Sequence, residues 1–197
     1  MIARLPHDSA RGFTLIELLF ALALAVTLVG ISVPVSQSAV DEIRGAGAAR
    51  QLAERVALAR LDAVRRSAAV ALRFEPDGAD YTFTSHVDGN GNGVRTLEIS
   101  NGVDLTLGHV ERLRDAHPGV MFGLLPGLPD LDGRRGNGDG VRIGSSRILT
   151  LSPDGSATSG TLYLHGRRGQ YAVRVLGATG RTRVFHFDAG TSQWKSR

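Results

Sequence analysis

Apolar residues crowd one stretch near the start of the chain: from Phe13 to Val35 nearly every side chain is apolar, and Glu17 is the only charged residue. A helix needs roughly 20 such residues to cross a bilayer, so the pattern predicts a membrane helix over 13–35. Beyond Pro34 the pattern changes. Ala, Leu, Arg and Glu, all good helix formers, dominate from about Ser38 to Ser67. At about 100° per residue, Leu52, Val56, Ala59 and Ala63 fall on one line, beside a second line of Ala53, Ala57, Leu61 and Val64. Glu54, Arg55, Asp62, Arg65 and Arg66 lie opposite, which predicts an amphipathic helix over 36–68 with its apolar side covered. Gly45 and Gly47 are expected to weaken its first half.

From Ala69 the period shortens to that of strands. Ala69–Phe74 and Tyr81–Thr84 flank the turn sequence Glu75-Pro76-Asp77-Gly78, a hairpin signal. Arg95–Ile99 and Val103–Leu107 are expected to pair around Asn101-Gly102. From His117 to Arg147 prolines and glycines predict loops, with a short strand at Gly119–Phe122. Strands return at Ile148–Leu151, Thr161–Leu164, Gln170–Val175 and Arg183–Phe187, separated by turn sequences. The expected fold is α+β: a long N-terminal helix, half membrane-spanning and half amphipathic, on a mainly antiparallel β head over 69–197.

Composition narrows the chemistry. The 42% hydrophobic and 21% charged residues are ordinary for a globular chain, while 25 glycines point to many turns. With no cysteine, a disulfide, a zinc-thiolate site and a thiol nucleophile are all excluded. The six histidines show no paired metal spacing, no serine sits in a G-x-S-x-G elbow, and no nucleotide fingerprint surrounds Gly136–Gly140. A catalytic reading and a cofactor therefore find no support. Positive charge concentrates at the end: the last 38 residues hold seven of the 23 Lys and Arg and one of the 19 Asp and Glu.

An acid inside an apolar helix is costly and calls for a cation or a specific partner. The run Gly12-Phe13-Thr14-Leu15-Ile16-Glu17 resembles, almost verbatim, the signal of type IV prepilins and type II secretion pseudopilins. That resemblance implies a leader, 1–12, removed after Gly12 by a prepilin peptidase, methylation of the new N-terminus at Phe13, and pairing of Glu17 with the terminal amine of a neighbouring subunit. It also implies an inner-membrane anchor with the head in the periplasm, and a helix-kinking role for Pro34. An ordinary secretory signal cut near Ala39 and a plain uncleaved anchor are the alternatives.

Within that superfamily the layout resembles the GspH/FimT group through Ala57–Arg66, Asp88–Gly93, Leu151-Ser152-Pro153-Asp154-Gly155 and Gly180-Arg181-Thr182-Arg183. The expectation is a non-enzymatic minor pilin or minor pseudopilin of a type IV pilus or type II secretion pseudopilus. Its partners would be other pilin subunits. The G-R-x-R sequence resembles that of the branch which captures DNA in natural transformation, implying Arg181 and Arg183 as contacts. Arg167, Arg168 and Arg174 join them from charge alone, since guanidinium groups suit phosphate. Asp88, Asn90 and Asn92 look at first like a calcium loop, yet the twelfth position is Ile99, with Glu98 one residue early. They are taken as a structural turn, with weak calcium binding as the alternative.

Overall fold

The computed structural model describes residues 12–196, and the side chains of 29–38 lie outside that description. Residues 1–11 of the expected leader and the side chain of Pro34 are therefore outside the described residues. Helix α1 runs Leu15–Arg66. The chain divides into two compact units, 1–39 and 40–197.

In the first unit every side chain described from Phe13 to Leu28 is exposed. Thr14 starts the helix: its Oγ1 accepts the Glu17 N–H at 3.3 Å, the N-cap arrangement that satisfies one of the free amides of a first turn. Among the described residues no helix is long and apolar enough to cross a membrane. The apolar side chains described from Leu15 to Leu28 account for about 21 Å of helix, short of the roughly 30 Å of a bilayer's hydrocarbon core.

In the second unit α1 continues as the expected amphipathic segment, but only one of its two apolar lines is covered. Leu52, Val56, Ala59 and Ala63 are buried, together with Ala46, Ala48 and Ala49. The second line is covered only at Ala53, which packs against the core; Leu61 and Val64 are 44% and 50% exposed, and Ala57 is exposed as well. Small residues dominate the buried stripe, which brings the helix backbone close to the strands and leaves its flank outside the contact.

The head has two antiparallel sheets. In the first, β1 (Val70–Asp77) pairs with β2 (Asp80–Val87), β2 with β3 (Leu105–Glu111), and β1 also with β6 (Ile148–Leu151). The second runs β10 (Gln193–Ser196), β9 (Arg181–Asp188), β8 (Gln170–Leu176), β7 (Gly160–His165) and β4 (Met121–Phe122), while β5 (Val141–Arg142) pairs with the first half of β7. One continuous core joins the helix stripe to Leu72, Phe74 and Phe83 of the first sheet and to Leu162, Leu164, Tyr171 and Val173 of the second. The outer face of the second sheet is also covered: Tyr163 and Ala172 pack under Leu124, Leu128 and Leu131, with Phe185 and Trp194 beside them. The proline-rich middle of the chain thus acts as a lid on this sheet.

Two expectations are corrected here. Residues Arg95–Ile99 do not form a strand; helix α2 occupies Thr96–Ser100, and the strand expected at Val103–Leu107 begins later, as β3. Asn101-Gly102 ends that helix rather than turning a hairpin, with Gly102 at φ +74°, the left-handed conformation favoured just past a helix end. The Asp104 carboxylate accepts the Gly89 and Arg95 N–H groups at 3.1 and 2.8 Å, tying the segment into a compact loop. Helix α3 (Leu113–Ala116) and strand β10 had no anticipated counterpart.

Candidate functional site

Two regions carry the candidate residues. At the N-terminus, Gly12 has open space around it and Phe13 is 83% exposed, so the Gly12–Phe13 peptide is sterically accessible. Glu17 stands in the first turn of α1, where a carboxylate also meets the positive end of the helix dipole. Thr14-Leu15-Ile16-Glu17 therefore doubles as a helix-start sequence of the S/T-x-x-E type. Glu17, the residue expected to act in assembly, thus also belongs to the helix start.

The second region lies on the outer face of the second sheet. Arg174 faces Arg183 directly across the β8–β9 ladder, and Arg181 faces Leu176, so Arg174, Arg181 and Arg183 share one side. Arg174 is engaged: its Nη2 lies 2.8 Å from Asp132 Oδ1 and its Nε donates to Thr161 Oγ1 at 3.2 Å. Arg181 and Arg183 are exposed and face solvent in β9. A cleft of about 680 Å³ opens beside Arg174, bounded by Arg142, Tyr163, Asp132 and the Gly177–Thr179 turn.

Arg167 and Arg168 do not join this group. They sit in the β7–β8 turn, at the other end of β8, about 20 Å away at the usual rise of a strand. There the Asp41 carboxylate of α1 accepts the backbone N–H groups of Arg167, Arg168 and Gly169 at 2.9, 3.0 and 3.3 Å. Partial burial opposes the charge of Asp41, but these N–H groups outweigh it and hold its pKa below the usual value. The turn's backbone is therefore committed to fastening the helix to the head.

Two residues unnoticed in the sequence shape the site. Arg142 donates to Asp130 Oδ2 at 2.7 Å and to Asn137 Oδ1 at 2.8 Å, with its guanidinium 5.1 Å from the Tyr163 ring centre. Arg60 lies under two turns: a Cβ at Gly155 or Gly180 would come within 3.1 Å of its side chain. Three sequence motifs, Ala57–Arg66, Leu151–Gly155 and Gly180–Arg183, therefore meet at Arg60. Only their shared glycine and arginine content hinted at it.

The Asp88 carboxylate is engaged within its own loop. Asp88 Oδ1 accepts the N–H groups of Asn90 and Gly91, and Oδ2 that of Gly93. Burial opposes its charge, but the Gly93, Asn90 and Gly91 amides prevail and lower its pKa. Both asparagine side-chain amides turn to Glu98 Oε1, at 3.2 and 2.8 Å. The Asp88 oxygens that a calcium loop would offer are spent on loop geometry, while Glu98 Oε2 is buried without a hydrogen-bond partner.

Residues 8–33 match the family model described as the prokaryotic N-terminal methylation motif. The chain is 40% identical over 85 residues to the pilin-like protein PilA1 of Thermus thermophilus, a match covering 42% of this chain and 51% of that protein. The chain thus spans about half the length of that relative. No solved structure gives a significant match. The methylation motif at the start of a helix, the antiparallel β head behind it and the similarity to a pilin-like protein together support a type IV pilin-like protein.

Proposed function

We propose that this chain is a minor pilin or minor pseudopilin, a structural subunit of a type IV pilus or type II secretion pseudopilus. In this reading a prepilin peptidase removes 1–12 and methylates Phe13. The subunit then waits in the inner membrane, with its head in the periplasm, until it enters the filament. The observation that carries the reading is the segment from Phe13 to Leu28, where every side chain is exposed and Glu17 is the only charged residue. Such a surface must be covered by lipid or by neighbouring helices. A carboxylate one turn from a free amine gives each subunit a partner and a register within that cover.

Mass spectrometry of the mature protein should find methylated Phe13 at its N-terminus; a start near Ala39 would overturn the reading. Glu17→Ala should reduce incorporation into filaments at least tenfold, with head stability unchanged in thermal melts.

A second reading, DNA capture, is favoured by one observation: Arg181 and Arg183 are exposed on the face they share with Arg174. Full-length protein in detergent should then bind double-stranded DNA with an affinity that falls steeply with salt, and Arg181→Ala/Arg183→Ala should lower both affinity and salt slope. Equal binding by the double variant would remove these residues from the reading. Asp132 neutralises Arg174, so Arg174→Ala is expected to matter less.

A further inference from the structure

Strand pairing separates Arg167 and Arg168 from Arg181 and Arg183, and it sets them in a turn whose backbone is fixed from two sides. The Asp41 carboxylate accepts three successive amides of that turn, and the Gly166 N–H donates to the Gly169 carbonyl at 2.9 Å. Both arginine side chains nevertheless remain exposed. Among the described residues neither guanidinium forms an ion pair. Arg44, three positions beyond Asp41 and so on the same side of α1, is exposed as well and reaches the Pro118 carbonyl with its Nη1 at 3.4 Å. Arg44, Arg167 and Arg168 outnumber the acids of this helix turn, Asp41 and Glu42.

The same stretch of α1 still carries bare apolar side chains. Val40 and Ile43, three positions apart and so on one side of the helix, are both exposed, as are the apolar residues described from Phe13 to Leu28. A helix rises about 42 Å from Phe13 to Asp41, against roughly 40–45 Å for a bilayer with its headgroup layers. A helix that starts at one membrane surface with Phe13 therefore brings Asp41, and the turn fastened to it, to the headgroup layer of the other. Apolar side chains beside arginines are the pairing that this layer accommodates, acyl chains covering the first and phosphates meeting the second.

We propose that Arg167 and Arg168, with Arg44 beside them, bind the headgroups of anionic phospholipids and seat the head on the membrane while the subunit awaits assembly. The inference rests on the membrane-anchored reading above. Guanidinium groups offer paired N–H donors that match phosphate oxygens. The attraction of a basic group to an anionic surface fades within a Debye length, so only groups held at headgroup level profit from it. The Asp41 clamp provides that placement: it ties the turn to the helix at the residue that reaches the headgroup layer, and a fixed turn loses little freedom on contact. The lipid contact fixes which side of the head faces the membrane, and it is released when the subunit leaves the bilayer.

Two arms test this on the full-length protein. In the first, the protein is floated with phosphatidylcholine vesicles; failure to float overturns the anchored reading and this inference together. In the second, protein in a neutral detergent is titrated with phosphatidylglycerol or phosphatidylcholine, and bound lipid is counted by native mass spectrometry. The expected result is a preference for phosphatidylglycerol that falls at least fivefold in Arg167→Ala/Arg168→Ala, is largely kept in Arg167→Lys/Arg168→Lys and is unchanged in Arg181→Ala/Arg183→Ala. In a protein that floats, equal phosphatidylglycerol binding by the parent and Arg167→Ala/Arg168→Ala overturns this inference alone. So does an Arg167→Ala/Arg168→Ala protein that keeps the lipid but loses double-stranded DNA, since the turn would then belong to the DNA reading.

Discussion

Replacing Gly45 by alanine is expected to destabilise the head by about 2–3 kcal/mol, as an overpacking substitution. Helix propensity alone predicts the reverse, since alanine is favoured over glycine by about 1 kcal/mol in a helix interior. At Gly45 the added Cβ would meet the edge of the Tyr171 ring, at a separation no real contact allows. The ring has no freedom to retreat: Tyr171 is 0% exposed, and its hydroxyl donates to the Glu42 carbonyl at 3.0 Å. Clash therefore outweighs propensity. Denaturant unfolding of Gly45→Ala beside Ala57→Gly separates the two effects. Ala57 is exposed on the same helix, and its replacement should lose only about 1 kcal/mol through propensity. A Gly45→Ala protein more stable than its parent would show that the helix does not seat on Tyr171 as described. Gly47, two residues on and therefore on another side of the helix, meets a different ring: its Cβ would lie 2.8 Å from that of His117.

Asp130→Ala is expected to remove about 3 kcal/mol and to loosen the lid over the second sheet, in line with breaking a buried ion pair from one side. Asp130 is 4% exposed. Its Oδ1 accepts the N–H groups of Asp132 and Arg134 at 2.9 and 2.8 Å, and its Oδ2 holds Arg142. Removing it leaves two amides without their acceptor and the Arg142 guanidinium with Asn137 Oδ1 in place of its ion pair, while the Arg142 side chain is only 26% exposed. Hydrogen exchange should show faster opening of residues 125–135, and an unchanged lid would contradict the assignment.

The same carboxylate sets part of the pH response. Burial opposes its charge, yet the Arg134 N–H, Arg142 and the Asp132 N–H prevail and lower its pKa. Asp41 and Asp88 are lowered in the same direction. A depressed carboxylate stabilises the fold fully above its unfolded pKa, about 4, and loses that contribution as pH falls through the lower folded value. His86 and His117 are also lowered, chiefly by burial. For them the unfolded chain takes up the proton first, so their contribution is complete above about pH 6.5 and declines as pH falls below it. Melting temperature is therefore expected to fall in two stages on acidification, with the lower stage reduced in Asp130→Ala.

Much of the molecule was legible before folding. The Gly12–Glu17 signal and the Phe13–Val35 apolar run are contiguous in the chain, so their meaning needs no partner from elsewhere. The Leu52, Val56, Ala59 and Ala63 stripe reads from helical spacing, and the hairpin around Asp77-Gly78 from turn chemistry that acts over four residues. Strands β1, β2, β6, β7, β8 and β9 follow from alternation between such turns. The shared face of Arg181 and Arg183 follows from the same period of two.

The exceptions involve contacts between distant residues. Arg95–Ile99 alternates well enough for a strand, but Asp104 captures the preceding loop and makes a short helix the better solution. Ala57, Leu61 and Val64 have the spacing of a covered line, yet the sheets are wide enough to cover only the neighbouring stripe. The split of the arginines, with Arg167 and Arg168 at one end of β8 and Arg181 at the other, depends on strand pairing that no local pattern encodes.

The amino-acid sequence by itself determined the N-terminal methylation motif, the helix-then-strand order and the stripe of α1 that packs, because each rests on interactions within a few residues. Only the tertiary structure decided that Gly45 seats Tyr171 and Gly47 seats His117 on different sides of the helix, that Asp130 and Arg142 fasten a lid, and that Asp80 is left with a bare oxygen. Those outcomes depend on which surfaces meet when chain segments dozens of residues apart compete for the same buried space.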